Sequence, residues 1–135
     1  MVPRWGWDAW IRREIAGFDG CLSAPIDPDS RAFPGRVPLA IMTWKCFERL
    51  NRMILSTSYV HWRGDRELYQ NLEELGLLRD LTGREPVFEH LHWQWGKRPR
   101  DPFDDAIQAA VKDDHATYDR RMKMSVVDRI KPPEA

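Results

Sequence analysis

The clearest hydrophobic pattern in the chain lies between Asp65 and Gly76. Leu68, Leu72 and Leu75 recur one helical turn apart, and the positions between them are mostly charged or amide residues. This spacing predicts a helix with Asp65 as its N-cap and Gly76 at its end. An aspartate at a helix start should stay ionised near neutral pH, because backbone N–H groups and the helix dipole stabilise its charge.

A strand is predicted after Pro86, because two sets of residues alternate there: Val87, Glu89 and Leu91 on one face, and Phe88, His90 and His92 on the other. His90 and His92 therefore share a face. Two imidazoles two residues apart on a strand can converge on one metal ion or phosphate.

The flanking segments predict shorter elements. A helix capped by Asp8 and a second helix capped by Thr43 have apolar residues at helical spacing, and short strands are expected after Phe18 and over residues 37–42. Residues 27–36 are rich in turn formers and predict an exposed loop. That loop contains Asp27-Pro-Asp29, a spacing that can hold a cation on a nucleotide diphosphate, although a simple turn is the favoured interpretation.

A last helix is predicted from Asp101, as N-cap, to about Met124. Its apolar stripe consists of Phe103, Ile107, Ala110 or Val111, Tyr118 and Met122. His115, with the neighbouring Asp113 and Asp114, is interpreted as a solvated charge cluster. Residues 126–135 are predicted to be a disordered tail.

These elements fit one domain over residues 1–125. The predicted fold class is α/β, or α+β as an isolated piece, with a short mixed sheet and about four helices. A chain of 135 residues with 42% hydrophobic content can build a core of its own.

Charge and cysteine usage narrow the function classes. The 21 basic and 21 acidic residues cancel, so the electrostatic footprint of a nucleic-acid-binding protein is missing and no nucleic-acid partner is expected. Cys21 and Cys46 are far apart and predict two buried, reduced thiols. With no apolar run of membrane-spanning length and no signal-peptide pattern, a cytoplasmic protein without a membrane span is expected.

Seven tryptophans are many for a chain of this length. Trp62, Trp93 and Trp95 lie next to the polar segments at 59–68 and 87–93, where flat amphipathic rings commonly stack on sugars. Two interpretations remain open for them: stacking surfaces for a ligand, or core and pocket wall.

The order of these segments resembles the C-terminal half of inverting, nucleotide-sugar-dependent glycosyltransferases of the GT-A fold, of the family-2-like kind found in bacteria and phages. The matching segments, in chain order, are Val2-Pro-Arg-Trp-Gly-Trp-Asp, Phe18-Asp-Gly, Pro38-Leu-Ala-Ile-Met-Thr, Tyr59 to Leu68, Phe88-Glu-His-Leu-His-Trp, Gly96-Lys and Arg100-Asp101. The resemblance spans residues 2–122, and the order and spacing of short motifs support it.

The resemblance implies a role for individual residues. Asp65 matches the catalytic base that takes the proton from the acceptor hydroxyl. His90, or alternatively His92, matches the histidine that completes a Mn²⁺ or Mg²⁺ site, where the ion neutralises the departing diphosphate. The side chains implied to line the acceptor side are Trp62, Arg66, Glu67, Trp93 and Lys97.

The family's nucleotide-binding half, with its acidic metal motif, has no counterpart in this sequence. Asp27 and Asp29 come too late in the order to replace that motif. Three explanations for the missing half remain open. The chain is one half of a split enzyme that joins a partner chain, a truncated copy, or a domain reused for binding. A lone half would expose the sheet edge that normally packs on the missing portion.

Two rival functions remain. A non-catalytic interaction domain, phage-derived or truncated, would use the tryptophan-rich surface to bind another chain. A metal-dependent hydrolase would use His90, His92 and Asp65, but the sequence has no nucleophile motif and no His-Glu-x-x-His signature.

Overall fold

The computed structural model describes residues 1–27, 34–91 and 93–132, and within these ranges the chain forms a mixed α+β fold with six short strands and six helices. The strands are β1 (Val2–Pro3), β2 (Cys21–Ser23), β3 (Ile26–Asp27), β4 (Ala40–Met42), β5 (Leu78–Asp80) and β6 (Phe88–Glu89). The helices are α1 (Trp7–Ile15), α2 (Trp44–Arg49), α3 (Gly64–Glu74), α4 (Pro102–Ala109), α5 (Val111–Arg121) and α6 (Val126–Arg129), and a 3₁₀ turn covers Trp93–Trp95.

The strands form two sheets of three rather than one short mixed sheet. In the first, β2 lies between β4, its antiparallel neighbour, and β5, its parallel neighbour. In the second, β6 lies between antiparallel β1 and parallel β3. Ala24 and Pro25 separate β2 from β3, and Pro25 has no N–H with which to continue the ladder of the first sheet. The chain therefore leaves one sheet and enters the other at this point.

The core has two parts, which meet at β2. Cys21 packs in a cluster with residues of α2 and α3, and Leu22 packs in a second cluster with Trp10 of α1 and Phe88 of β6. Successive side chains of a strand point to opposite faces, so one fully buried strand supplies both clusters.

The predicted caps of two helices are confirmed. Thr43 Oγ1 accepts a hydrogen bond from the Cys46 N–H at 3.2 Å, at the start of α2. Asp101 accepts from the backbone N–H groups of Phe103 and Asp104 at the start of α4, where Pro102 takes the first helical position.

The C-terminal region differs from the prediction in two ways. The single helix expected from Asp101 to Met124 is interrupted at Ala110, which separates α4 from α5. The tail expected to be disordered from residue 126 instead forms α6, with Ser125 as its cap.

Burial explains why the tail is ordered. Ile130 joins the first core cluster, and the Arg129 guanidinium is buried while its Nε donates to Asn71 Oδ1 at 2.7 Å. The prediction of disorder was based on the general behaviour of chain ends, and these long-range contacts order residues 126–130. Residues 133–135 lie outside the described ranges.

Cys21 and Cys46 are free and buried, as predicted. Burial raises the pKa of Cys21 to about 12 and the pKa of Cys46 to about 11.

Since only the thiolate attacks alkylating reagents, we expect native thiols to react at least about 100-fold more slowly at mildly alkaline pH than an exposed cysteine. Mass spectrometry after timed iodoacetamide treatment, with the guanidinium-denatured protein as control, would measure this. Equal native and denatured rates would contradict the buried placement.

None of the helices within the described ranges has the length and apolar character that a bilayer span requires.

Candidate functional site

A cleft of about 450 Å³ lies between the segment that precedes α3, the first turn of α3 and the end of β6. Trp62, Asp65 and His90 all line it. The sequence had singled out these three residues from two separate segments, and the fold brings them to one cavity. Its volume falls within the range of about 300–1,000 Å³ typical of small-molecule sites.

Asp65 lies in the first turn of α3 but is not its N-cap. The helix begins at Gly64, and Arg63 takes the cap position with a left-handed backbone (φ 73°) and no side-chain cap. One Asp65 oxygen accepts from the Arg66 N–H at 2.8 Å, and the other lies 3.7 Å from Arg36 Nη1. The carboxylate is about one third exposed, so a ligand in the cleft can reach it.

The earlier start of α3 has its cause in another helix. Asp114 of α5 is 2% exposed, and its carboxylate accepts the backbone N–H groups of Val60, His61 and Trp62 at 2.9, 2.9 and 2.7 Å. These bonds fix the backbone immediately before Arg63. The helix cap therefore falls at Arg63, two residues before Asp65, the residue predicted as the cap.

Asp114 corrects the interpretation of residues 113–115 as a solvated charge cluster. Burial acts to raise the pKa of Asp114, but the backbone hydrogen bonds from His61, Val60 and Trp62 outweigh it, and the pKa lies below its ordinary value. The sequence contains one indication that Asp114 is buried, because position 114 is three residues after Val111 and four before Tyr118. An aspartate thus lies on the apolar stripe of the helix.

Trp62 is anchored by its ring nitrogen. Its Nε1 donates to the carbonyl oxygen of Ile107 at 3.0 Å, near the C-terminal end of α4, where the same oxygen also accepts from the Ala110 N–H at 3.1 Å. The indole also meets the His61 ring edge-on, with ring centroids 5.9 Å apart. Helices α4 and α5 therefore hold the side chain of Trp62 and the backbone of this cleft wall, respectively.

Glu67 was expected to line the acceptor side, but it is 2% exposed and lies outside the cleft lining. Its carboxylate accepts two hydrogen bonds from Arg121, at 2.7 and 2.8 Å, and one from the Tyr59 hydroxyl at 2.6 Å. Burial, followed by the bond to Glu67, raises the pKa of Tyr59. Glu67 supports the cleft from behind, because Tyr59 itself lines it.

Three further residues expected on the acceptor side also lie outside the cleft lining. The guanidinium of Arg66 lies 6.0 Å from the Tyr118 ring centroid, and Trp93 stacks under Arg100 at 4.6 Å. Lys97 Nζ binds Glu89 Oε1 at 2.8 Å, and this hydrogen bond raises the lysine pKa. Strand β6 ends at Glu89 and the chain turns at Trp93–Trp95, so that Gln94 lines the cleft while Trp93 and Lys97 do not.

The cleft offers two kinds of metal donor, a carboxylate from Asp65 and an imidazole from His90. Among the described residues no three histidine, cysteine or acidic side chains lie together as a metal-binding group. His92 and Asp29 fall outside the described ranges, and Asp27 lies in β3 with its carboxylate 3.5 Å from Arg4. A divalent cation would need further ligands beyond Asp65 and His90.

Arg36 and Arg63 are cleft residues that the sequence did not single out. Both lie in segments without regular structure, where no periodicity marks a side chain as facing a cavity.

Comparisons with protein-family models, with curated proteins and with solved structures gave no match.

Proposed function

We propose that this protein takes part in the transfer of a sugar from a nucleotide-diphosphate donor to an acceptor hydroxyl, as an inverting glycosyltransferase-like domain. The observation that supports the proposal best is that Asp65 and His90 line the same cleft, together with Trp62. The resemblance to the GT-A glycosyltransferases assigns a role to each of these three residues.

In this proposal Asp65 is the general base. Its carboxylate accepts the proton of the acceptor hydroxyl while the oxygen attacks the anomeric carbon and the nucleoside diphosphate leaves from the opposite face. Arg36, 3.7 Å away, would orient the carboxylate. Trp62 offers an indole whose ring nitrogen is already bonded to Ile107, which leaves its faces for a sugar.

His90 is the proposed ligand of a Mn²⁺ or Mg²⁺ ion, with His92 as the alternative. Such an ion, when bound, would neutralise charge on the leaving diphosphate. We further propose that a partner chain supplies the nucleotide-binding half and the remaining metal ligands. The free, buried thiols support a reducing, cytoplasmic location for this assembly.

The test is sugar transfer by the reconstituted assembly, using a panel of radiolabelled nucleotide sugars with Mn²⁺. Asp65→Asn is expected to lower the transfer rate about 100-fold, because general-base catalysis typically contributes that much or more. Asp113→Asn, an exposed carboxylate on α5, is the matched control and should leave the rate unchanged. Equal rates for wild type and Asp65→Asn would rule out the assigned role.

A second candidate function is a protein-interaction domain without catalysis. It is favoured by three exposed tryptophans outside the cleft lining: Trp5 is fully exposed, Trp44 is 65% exposed and Trp7 is 41% exposed. A stable complex that persists in Asp65→Ala and His90→Ala, but is lost in Trp5→Ser or Trp44→Ser, would support this alternative.

A further inference from the structure

One rim of the cleft is made of aliphatic side chains that face solvent. Ile54, Leu55 and Val60 are 41%, 53% and 74% exposed, and all three line the cleft. Single exposed aliphatic residues are common on protein surfaces, but several on the rim of one cavity form a patch of the kind found at ligand-binding grooves.

The rim is held in place although it is exposed. The Val60 N–H donates to Asp114 at 2.9 Å, so its side chain projects from a fixed backbone. A β-carbon at Gly64 would lie 3.5 Å from Cδ2 of Leu55, which shows that Leu55 rests against the start of α3. An apolar surface whose backbone is already ordered binds a ligand with little further loss of conformational entropy.

The lining of the same cleft also contains polar side chains. Asp65 and Arg36 approach each other there, and His90 contributes an imidazole to the lining. A wholly polar ligand, such as an unmodified oligosaccharide, would leave the aliphatic rim in water. A wholly apolar ligand would cover the carboxylate and guanidinium without replacing their hydration.

We infer that the acceptor is an amphipathic hydroxyl compound, with an aliphatic or aromatic body that lies on Ile54, Leu55 and Val60 and a hydroxyl that points towards Asp65. The fate of the hydroxyl rests on the proposed function, but binding of the apolar body does not. A concave cavity suits a small molecule better than the flat surface of a protein partner or a membrane.

The test uses methyl, butyl and hexyl β-glucosides, below their micelle-forming concentrations, with binding measured by isothermal titration calorimetry. Full burial of one methylene tightens binding about fourfold, and partial burial on an open rim should give about twofold. Affinity is therefore expected to rise about 30-fold from the methyl to the hexyl compound.

Substitutions on the rim should remove this dependence on chain length. Val60→Ser and Leu55→Ser replace exposed side chains, so the fold should survive, as circular dichroism and thermal unfolding would verify. Trp44→Ser is the control, because Trp44 is 65% exposed but lies outside the cleft lining. It should bind the three glucosides like the wild type.

Three results would overturn the inference: affinities that do not depend on chain length, a dependence unchanged in the rim variants, or rim-dependent binding to phosphatidylcholine vesicles without binding of hexyl glucoside. Asp65→Asn should keep the chain-length dependence. If that dependence is present but Asp65→Asn does not affect transfer, the proposed function fails alone. If transfer requires Asp65 but the dependence is absent, the amphipathic acceptor fails alone.

Discussion

Arg121→Ala is expected to lower the free energy of unfolding by about 3–5 kcal/mol, because it leaves the buried carboxylate of Glu67 without its cation. Arg121 donates two hydrogen bonds to Glu67, at 2.7 and 2.8 Å, and a third to the backbone carbonyl of Arg129 at 2.6 Å. Its side chain is 12% exposed and that of Glu67 is 3% exposed. Water therefore cannot replace the lost guanidinium without opening the contact between α3 and α5.

Chemical denaturation followed by circular dichroism would measure this loss. Arg120→Ala is the matched control, because Arg120 is exposed on the same helix and its substitution should change stability by less than about 0.5 kcal/mol. Combining Glu67→Gln with Arg121→Met should cost less than the sum of the two single changes, because each single change leaves one buried charge unpaired and the double variant leaves none. A loss below about 1 kcal/mol in Arg121→Ala, or strict additivity, would contradict the buried pair.

The sequence predicted those parts of the fold that depend on neighbouring residues. The spacing of Leu68 and Leu72 located α3, and the hydroxyl of Thr43 and the carboxylate of Asp101 marked the starts of α2 and α4. Each of these signals acts within one or two helical turns. A local pattern is therefore enough to find it.

The buried charges were missed for the opposite reason. Glu67 and Arg121 are 54 residues apart, and Asp114 binds backbone groups 52 to 54 residues away. A charged residue in a helix predicts a solvated face unless its partner is known, and a single sequence does not show partners at such distances. Glu67, which the resemblance placed on the acceptor side of the cleft, lies behind it instead.

The sequence predicted only some of the residues that line the candidate site. Asp65 and His90 were singled out from residue types and their order, which do not require exact element boundaries, and both line the cleft. The resemblance placed Trp93 and Lys97 on the acceptor side, but β6 ends at Glu89 and neither side chain lines the cleft. A two-residue strand has too few alternating positions to fix where the following side chains point.

Asp114→Ala is expected to destabilise the protein by about 3 kcal/mol and to loosen the cleft wall. Three backbone N–H groups, those of Val60, His61 and Trp62, would lose a charged acceptor at once. Amide hydrogen exchange measured by NMR should accelerate at these three positions. Asp113→Ala, one residue away but exposed, should leave both stability and exchange unchanged.

The pH dependence of the stability of Asp114→Asn provides a second, independent test of the same contact. The pKa of Asp114 in the folded protein lies below its ordinary value of 3.8, so the carboxylate contributes stability above that value and loses the contribution as pH falls through the folded pKa. The stability gap between wild type and Asp114→Asn should therefore stay constant from about pH 7 to about pH 5 and narrow below about pH 4. A gap that is the same at all pH values would mean that loss of shape, rather than loss of charge, destabilises the variant. Retained slow exchange at residues 60–62 in Asp114→Asn would show that a neutral acceptor suffices to hold the loop.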